Sequence, residues 1–156
     1  MSYVFTGIPT EDAKAIRTGA ADAYANAPEH EISNGIGMPC RHCLKIIPKD
    51  EAYLVFAYRP FETLQPYAET GPVFICAKDC TATRKSDIPE VLRVSPEYLI
   101  KGYTADERIK YGTGAIVPVA KTTDRLKELI SDSELSFVDV RSSKNNCWLT
   151  RVKRTA

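Results

Sequence analysis

The chain has 156 residues, 44% hydrophobic and 26% charged, enough to bury roughly 70% of its unfolded surface and to fold without staples. Its 21 basic and 20 acidic residues leave a formal charge of +1, which excludes the marked basic excess of a protein that grips a nucleic-acid backbone. No stretch approaches the roughly 20 apolar residues that span a bilayer, and residues 1–7 lack the features of a signal peptide, so a cytoplasmic protein without a membrane partner is expected.

Residues 3–8 alternate apolar and small side chains and predict a short strand. A helix is expected from Thr10 to residue 25. Thr10 suits the N-cap, Glu11 and Asp12 complement the positive end of the helix dipole, and Ala13, Ile16, Ala20 and Tyr24 recur at helical spacing. Residues 26–37 are polar and contain Asn34-Gly35 and Gly37, a loop pattern. Residues 38–47 predict a turn and a short strand, 48–51 a tight turn, and 52–58 a buried strand rich in β-formers. A polar segment from Arg59 to Pro72 precedes a strand at 73–76, and Pro89 and Pro96 limit any helix between 81 and 96 to a turn or two.

Strands are predicted at 98–103, 108–111 and 115–119. Leu126, Leu129 and Ile130 mark an amphipathic helix over 124–131, and 135–141 with 147–153 form a hairpin. Arg151, Lys153 and Arg154 read as a solvated basic strand end. Locally pairing strands with few helices give the α+β class: a single domain over 1–156 with antiparallel strands and an N-terminal helix.

Five cysteines in a reducing compartment direct attention to metal or redox chemistry before disulfides. Cys40-x2-Cys43 and Cys76-x3-Cys80 offer four soft ligands in two close pairs, and a two-residue gap lets a tight turn present both sulfurs to one ion. The leading expectation is a structural zinc in a zinc-ribbon-like hairpin element over 38–81, since four thiolates leave no open coordination position. If 48–51 closes a hairpin, Leu44 faces Val55. If 59–72 closes the next symmetrically, Val55 faces Cys76, within roughly 10 Å of Leu44 at about 4.8 Å per strand.

Two other readings stay open: buried unligated thiols, and a thiol oxidoreductase using Cys40 and Cys43. The redox reading expects a helix after the motif, whereas Leu44-Lys45-Ile46-Ile47 resembles a strand. Residues 39–43 also match half of the zinc deaminase signature, but the required His-x-Glu is missing and His30-Glu31 has the wrong spacing. His42 could replace one cysteine as a ligand but is expected to be an exposed side chain at the turn, His30 to lie in polar loop, and Cys147, beside Trp148, to be core.

The fourteen-residue segment 59–72 is long for a structureless connection and concentrates Arg59, Glu62, Tyr67, Glu69 and Thr70, candidates for holding a small polar ligand. An enzyme acting on a polar or anionic substrate through these side chains is the alternative, and a surface loop packed down by Phe61 and Tyr67 is the bland one. Gly112-Thr113-Gly114 lacks a following helix and reads as a turn rather than a phosphate loop.

Several motifs together resemble one bacterial family, catalogued as domain of unknown function 1203: Pro39-Cys40-Arg41-x-Cys43-Leu44, Tyr58-Arg59-Pro60-Phe61, the run 66–72, and Gly102-Tyr103-x-Ala105-Asp106 with Gly112-Thr113-Gly114. The resemblance extends over residues 38–119 and implies no activity. The family pattern often has histidine at the position of Cys76. This implies an exchange between two zinc ligands and favours metal over a disulfide.

Overall fold

The computed structural model describes residues 2–155. Nine strands and two α-helices follow one another as β1 (Tyr3–Thr6), α1 (Thr10–Arg17), β2 (Glu29–Ile32), β3 (Ala52–Tyr58), β4 (Gly71–Cys76), β5 (Arg84–Lys85), β6 (Glu97–Tyr103), β7 (Ala115–Pro118), α2 (Thr122–Ile130), β8 (Phe137–Ser142) and β9 (Trp148–Arg154) among the described residues. They build an α+β fold of two antiparallel sheets. One has six strands in the order β5-β1-β9-β8-β6-β7, the other three in the order β2-β3-β4.

One face of the large sheet is apolar. Phe5, Ile100, Val138, Val140 and Val152 stand on it and pack with Leu126, Leu129 and Ile130 of α2. Each such buried side chain contributes about 1.5–3 kcal/mol. A second core, between the small sheet, α1 and β9, gathers Ile8, Ala13, Leu54, Phe56, Ile75 and Trp148.

The other face of the large sheet is charged. Lys101, Asp139, Arg151 and Thr6 stand opposite one another across four strands. Asp139 is fully buried and takes both Nε and Nη2 of Arg151, at 2.7 and 2.9 Å. The guanidinium lies over the Phe137 ring at 3.7 Å. Period-two alternation therefore hides in β8, where both faces are covered.

Several expectations are corrected. Helix α1 stops at Arg17 rather than residue 25, because the Thr18 hydroxyl turns back onto the Lys14 and Ala15 carbonyls and Gly19 enters positive φ. Ala20 and Tyr24 are exposed beyond it. Pro9, not Thr10, occupies the N-cap position. Part of the polar 26–37 segment forms β2, a fully exposed edge strand whose backbone pairs with β3 and needs no apolar pattern.

Residues 44–47 form no strand, since Leu44 adopts φ 60°, and Val55 faces Phe74 while Cys76 faces Tyr53. Residues 108–111 contribute only an isolated bridge between Ile109 and Tyr103. The basic end is not solvated as a whole. Arg151 is paired, and the Arg154 guanidinium donates to the carbonyls of Ile130, Asp132 and Leu135 after α2; only Lys153 is exposed. No described helix is long and apolar enough to cross a membrane.

Candidate functional site

The Cys40–Cys43 turn is built by backbone chemistry. Cys40 donates its N–H to Lys45 O at 2.9 Å, and its carbonyl accepts from Leu44 N at 3.0 Å. Arg41, 3% exposed, fixes the turn to three neighbours. Its N–H donates to Phe74 O, its Nε to Trp148 O, and its carbonyl accepts from Ile8 N. The approach to β1 is so close that a Cβ on Gly7 would fall 2.2 Å from Arg41 O, so only glycine fits there. The turn thus lies beside β4, bridging Cys40 to Phe74 in parallel. Cys76 ends that strand and Cys80 follows in the next loop.

Here the four cysteines meet. Their sulfurs all lie within 4.8 Å of one another, and the cluster could hold a metal ion. Cys40 Sγ stands 3.9 Å from Cys80 Sγ and receives the backbone N–H groups of His42 and Cys76 at 3.4 and 3.3 Å. Cys40, Cys43 and Cys76 are buried, while Cys80 is half-buried.

Four thiols this close cannot each keep an ordinary pKa. Hydrogen bonding with Cys43 draws Cys40 down to about 6, and hydrogen bonding with Cys40 lowers Cys80. The same contacts raise Cys43 and Cys76, which keep their protons. A divalent cation would replace those shared protons.

Three residues besides the cysteines support the cluster. Arg17 reaches from the last turn of α1 to Cys80 Sγ with Nη2 at 3.1 Å and to Cys76 O with Nε at 2.9 Å. His42, expected to be exposed, is 1% exposed; its Nδ1 stands 3.0 Å from Cys80 Sγ and its Nε2 2.9 Å from Thr10 Oγ1. The signal for His42 was its place inside the Cys-x-x-Cys turn. Arg17 and Thr10 carried none. Cys147 stands apart and half-buried, its Sγ 3.7 Å from Asn145 O, so it is not core; its neighbour Trp148 is. His30 lies in β2 rather than loop and is exposed.

The loop residues divide. Arg59 and Glu62 line a cavity of about 230 Å³ with Trp148, Arg151 and Lys153. A cavity of about 720 Å³ adjoins it, sharing Glu62, Arg151 and Lys153 and adding Thr63, Gln65 and Arg108. Glu107 pins this stretch: its carboxylate accepts from the backbone N–H of Glu62 and of Thr63 and from the Thr63 hydroxyl.

Tyr67 leaves the groove, its hydroxyl 2.8 Å from that of Tyr111 and its ring under Arg108. Glu69 turns inward, with Oε1 2.8 Å from Lys101 Nζ and Oε2 3.0 Å from Arg141 Nη1. The Arg141 contact is close but not aligned as a hydrogen bond, so it is Coulombic. Thr70 returns its hydroxyl to Ala68 O. Trp148, Arg151 and Lys153 were missed, because their only trace was the basic cluster at the chain's end.

Comparison with curated proteins and with solved structures returns no match. The family model described as "Protein of unknown function (DUF1203)" matches residues 37–154, which include all four clustered cysteines and both cavities' loop residues. By that match over most of its length, the chain belongs to the DUF1203 family.

Proposed function

We propose that the chain is a cytoplasmic, zinc-stabilised binding protein: residues 38–81 hold one structural zinc within a single domain, and the groove beside the 59–72 loop receives a small polar ligand. The observation that carries this reading is the approach of four sulfurs from two distant segments to within 4.8 Å. Zinc–sulfur bonds of about 2.3 Å in a tetrahedron separate sulfurs by about 3.8 Å, and the Cys40–Cys80 separation is 3.9 Å. Arg17 and His42 against Cys80 are the kind of outer contacts that orient ligands and offset the charge of four thiolates.

A saturated site has no position for substrate, so the zinc serves the fold. Its position supports a link to the groove. The Arg41 anchor joins the cysteine turn to the backbone of Trp148, which lines the smaller cavity. The enzyme reading is weaker, since Tyr67 and Glu69 line neither the cavity that Arg59 and Glu62 share nor the larger one that Glu62 also lines. The oxidoreductase reading needs an accessible nucleophile, and Cys40 is fully buried.

Thiol labelling tests the zinc against the redox pair. Zinc-held Cys40, Cys43, Cys76 and Cys80 should alkylate slowly in native protein, and a chelator should release all four together. Rapid labelling of Cys40 alone, unchanged by chelator, would replace the zinc reading with the oxidoreductase.

A further inference from the structure

Three segments wall the smaller cavity: the β1–α1 junction with Thr6, Gly7 and Asp12, the start of the loop with Tyr58, Arg59 and Glu62, and β9 with Trp148, Arg151 and Lys153. Trp148 is 4% exposed, yet its Nε1 has no hydrogen-bond partner among the described residues. A buried donor without an acceptor costs about 1–3 kcal/mol, so the Trp148 indole N–H calls for a partner from outside the chain. An indole nitrogen only donates. The missing partner is therefore an acceptor.

Charge narrows its class. Arg151 is committed to Asp139, which leaves Arg59 and Lys153 as the free cations against Asp12 and Glu62. That mixture of signs disfavours a dianion such as phosphate and admits a group of single charge. A planar carboxylate matches the guanidinium fork. The Tyr58 ring, 5.4 Å from that of Trp148, offers an apolar wall for a hydrocarbon body. Burial pushes the Tyr58 hydroxyl up to about 12, so it stays protonated. The volume of about 230 Å³ equals about eight waters at ~30 Å³ each, the size of a small organic acid.

We infer that the inner end of the groove binds a small organic carboxylate, held by Trp148 Nε1, Arg59 and Lys153; this rests on the ligand-binding reading above. The chain's single tryptophan reports on the site directly. The zinc-replete 156-residue chain is titrated with the single-charge carboxylates acetate and propionate and with glycine and glutamate, and separately with inorganic phosphate and putrescine, while Trp148 emission and heat of binding are followed. A saturable emission change with at least one carboxylate is expected, weakened about tenfold by Arg59→Ala and by the exposed-site variant Lys153→Ala. Trp148→Phe, read by calorimetry, should weaken it similarly.

Tighter binding of glycine than of acetate would support the site and assign the ammonium to Asp12 and Glu62. No saturable change with any carboxylate, or binding of phosphate alone, would overturn it. So would carboxylate binding that is indifferent to Arg59→Ala and Lys153→Ala. Heat of binding that leaves Trp148 emission unchanged and is lost in Arg108→Ala would place the ligand in the larger cavity, overturning this inference while sustaining the groove.

Discussion

The His42 imidazole spans two segments: Nδ1 stands 3.0 Å from the Cys80 sulfur and Nε2 2.9 Å from the Thr10 hydroxyl. The least covered of the four sulfurs is thus held from the opposite cysteine turn, and the ring is oriented from the start of α1. Partners that orient metal ligands typically contribute 10–100-fold in affinity. His42→Ala is expected to lower zinc affinity by about 10–100-fold in a competitive chelator titration. Thr10→Ala should lower it less. Unchanged affinity in His42→Ala would show the contact to be packing only.

The loop should respond unevenly to substitution. Glu69 faces Lys101 and Arg141, whose side chains are 13% and 5% exposed, so Glu69→Gln leaves two covered cations without their counter-charge. Breaking such a pair costs about 3–5 kcal/mol when fully buried; the carboxylate's own 27% exposure reduces this to about 2–3 kcal/mol. Tyr67→Phe removes a contact between exposed hydroxyls and should cost about 0.5 kcal/mol or less. Denaturant unfolding of the two variants gives the comparison, and equal effects would contradict the inward role of Glu69.

Acid stability should depend on Asp22. Backbone N–H groups of Ala57, Asn26 and Tyr24 donate to its carboxylate and hold it below the usual carboxylate range, the Ala57 bond most strongly. A depressed folded-state pKa gives stability that is present above the ordinary aspartate value and lost as pH falls through the folded value. Thermal midpoints of Asp22→Asn should lie below the parent at neutral pH and converge with it in strong acid. Parallel curves at all pH values would contradict this. The residue is half-buried, so salt should reduce the difference only in part.

Much of this fold is legible because packing follows local pattern. Residues 52–58 and 98–103 are rich in apolar and aromatic side chains, with β-branched Val55 and Ile100 among them, and both are strands. Leu126, Leu129 and Ile130 give the α2 stripe. Strand β2 was illegible because an edge strand can be stabilised through its backbone alone while its side chains face water.

The cysteine pairs were legible as a set, but their meeting does not come from a Leu44–Val55 hairpin. Arg41 and Gly7 carry the turn onto the end of β4, a long-range arrangement with no periodicity. The groove was half legible. Arg59 and Glu62 stand together at its loop side, whereas Arg151 and Trp148 come from the far end of the chain and enter through sheet register.

The most direct measurement is elemental analysis of protein purified without added metal, paired with Cys76→Ser. The account predicts about one zinc per chain in the parent, by analogy with closed four-ligand sites. It also predicts much reduced zinc and a lowered thermal midpoint together in the variant, because metal binding is coupled to folding. A parent chain folded with less than about a tenth of an equivalent of any transition metal, or a Cys76→Ser variant with unchanged zinc and stability, would contradict it.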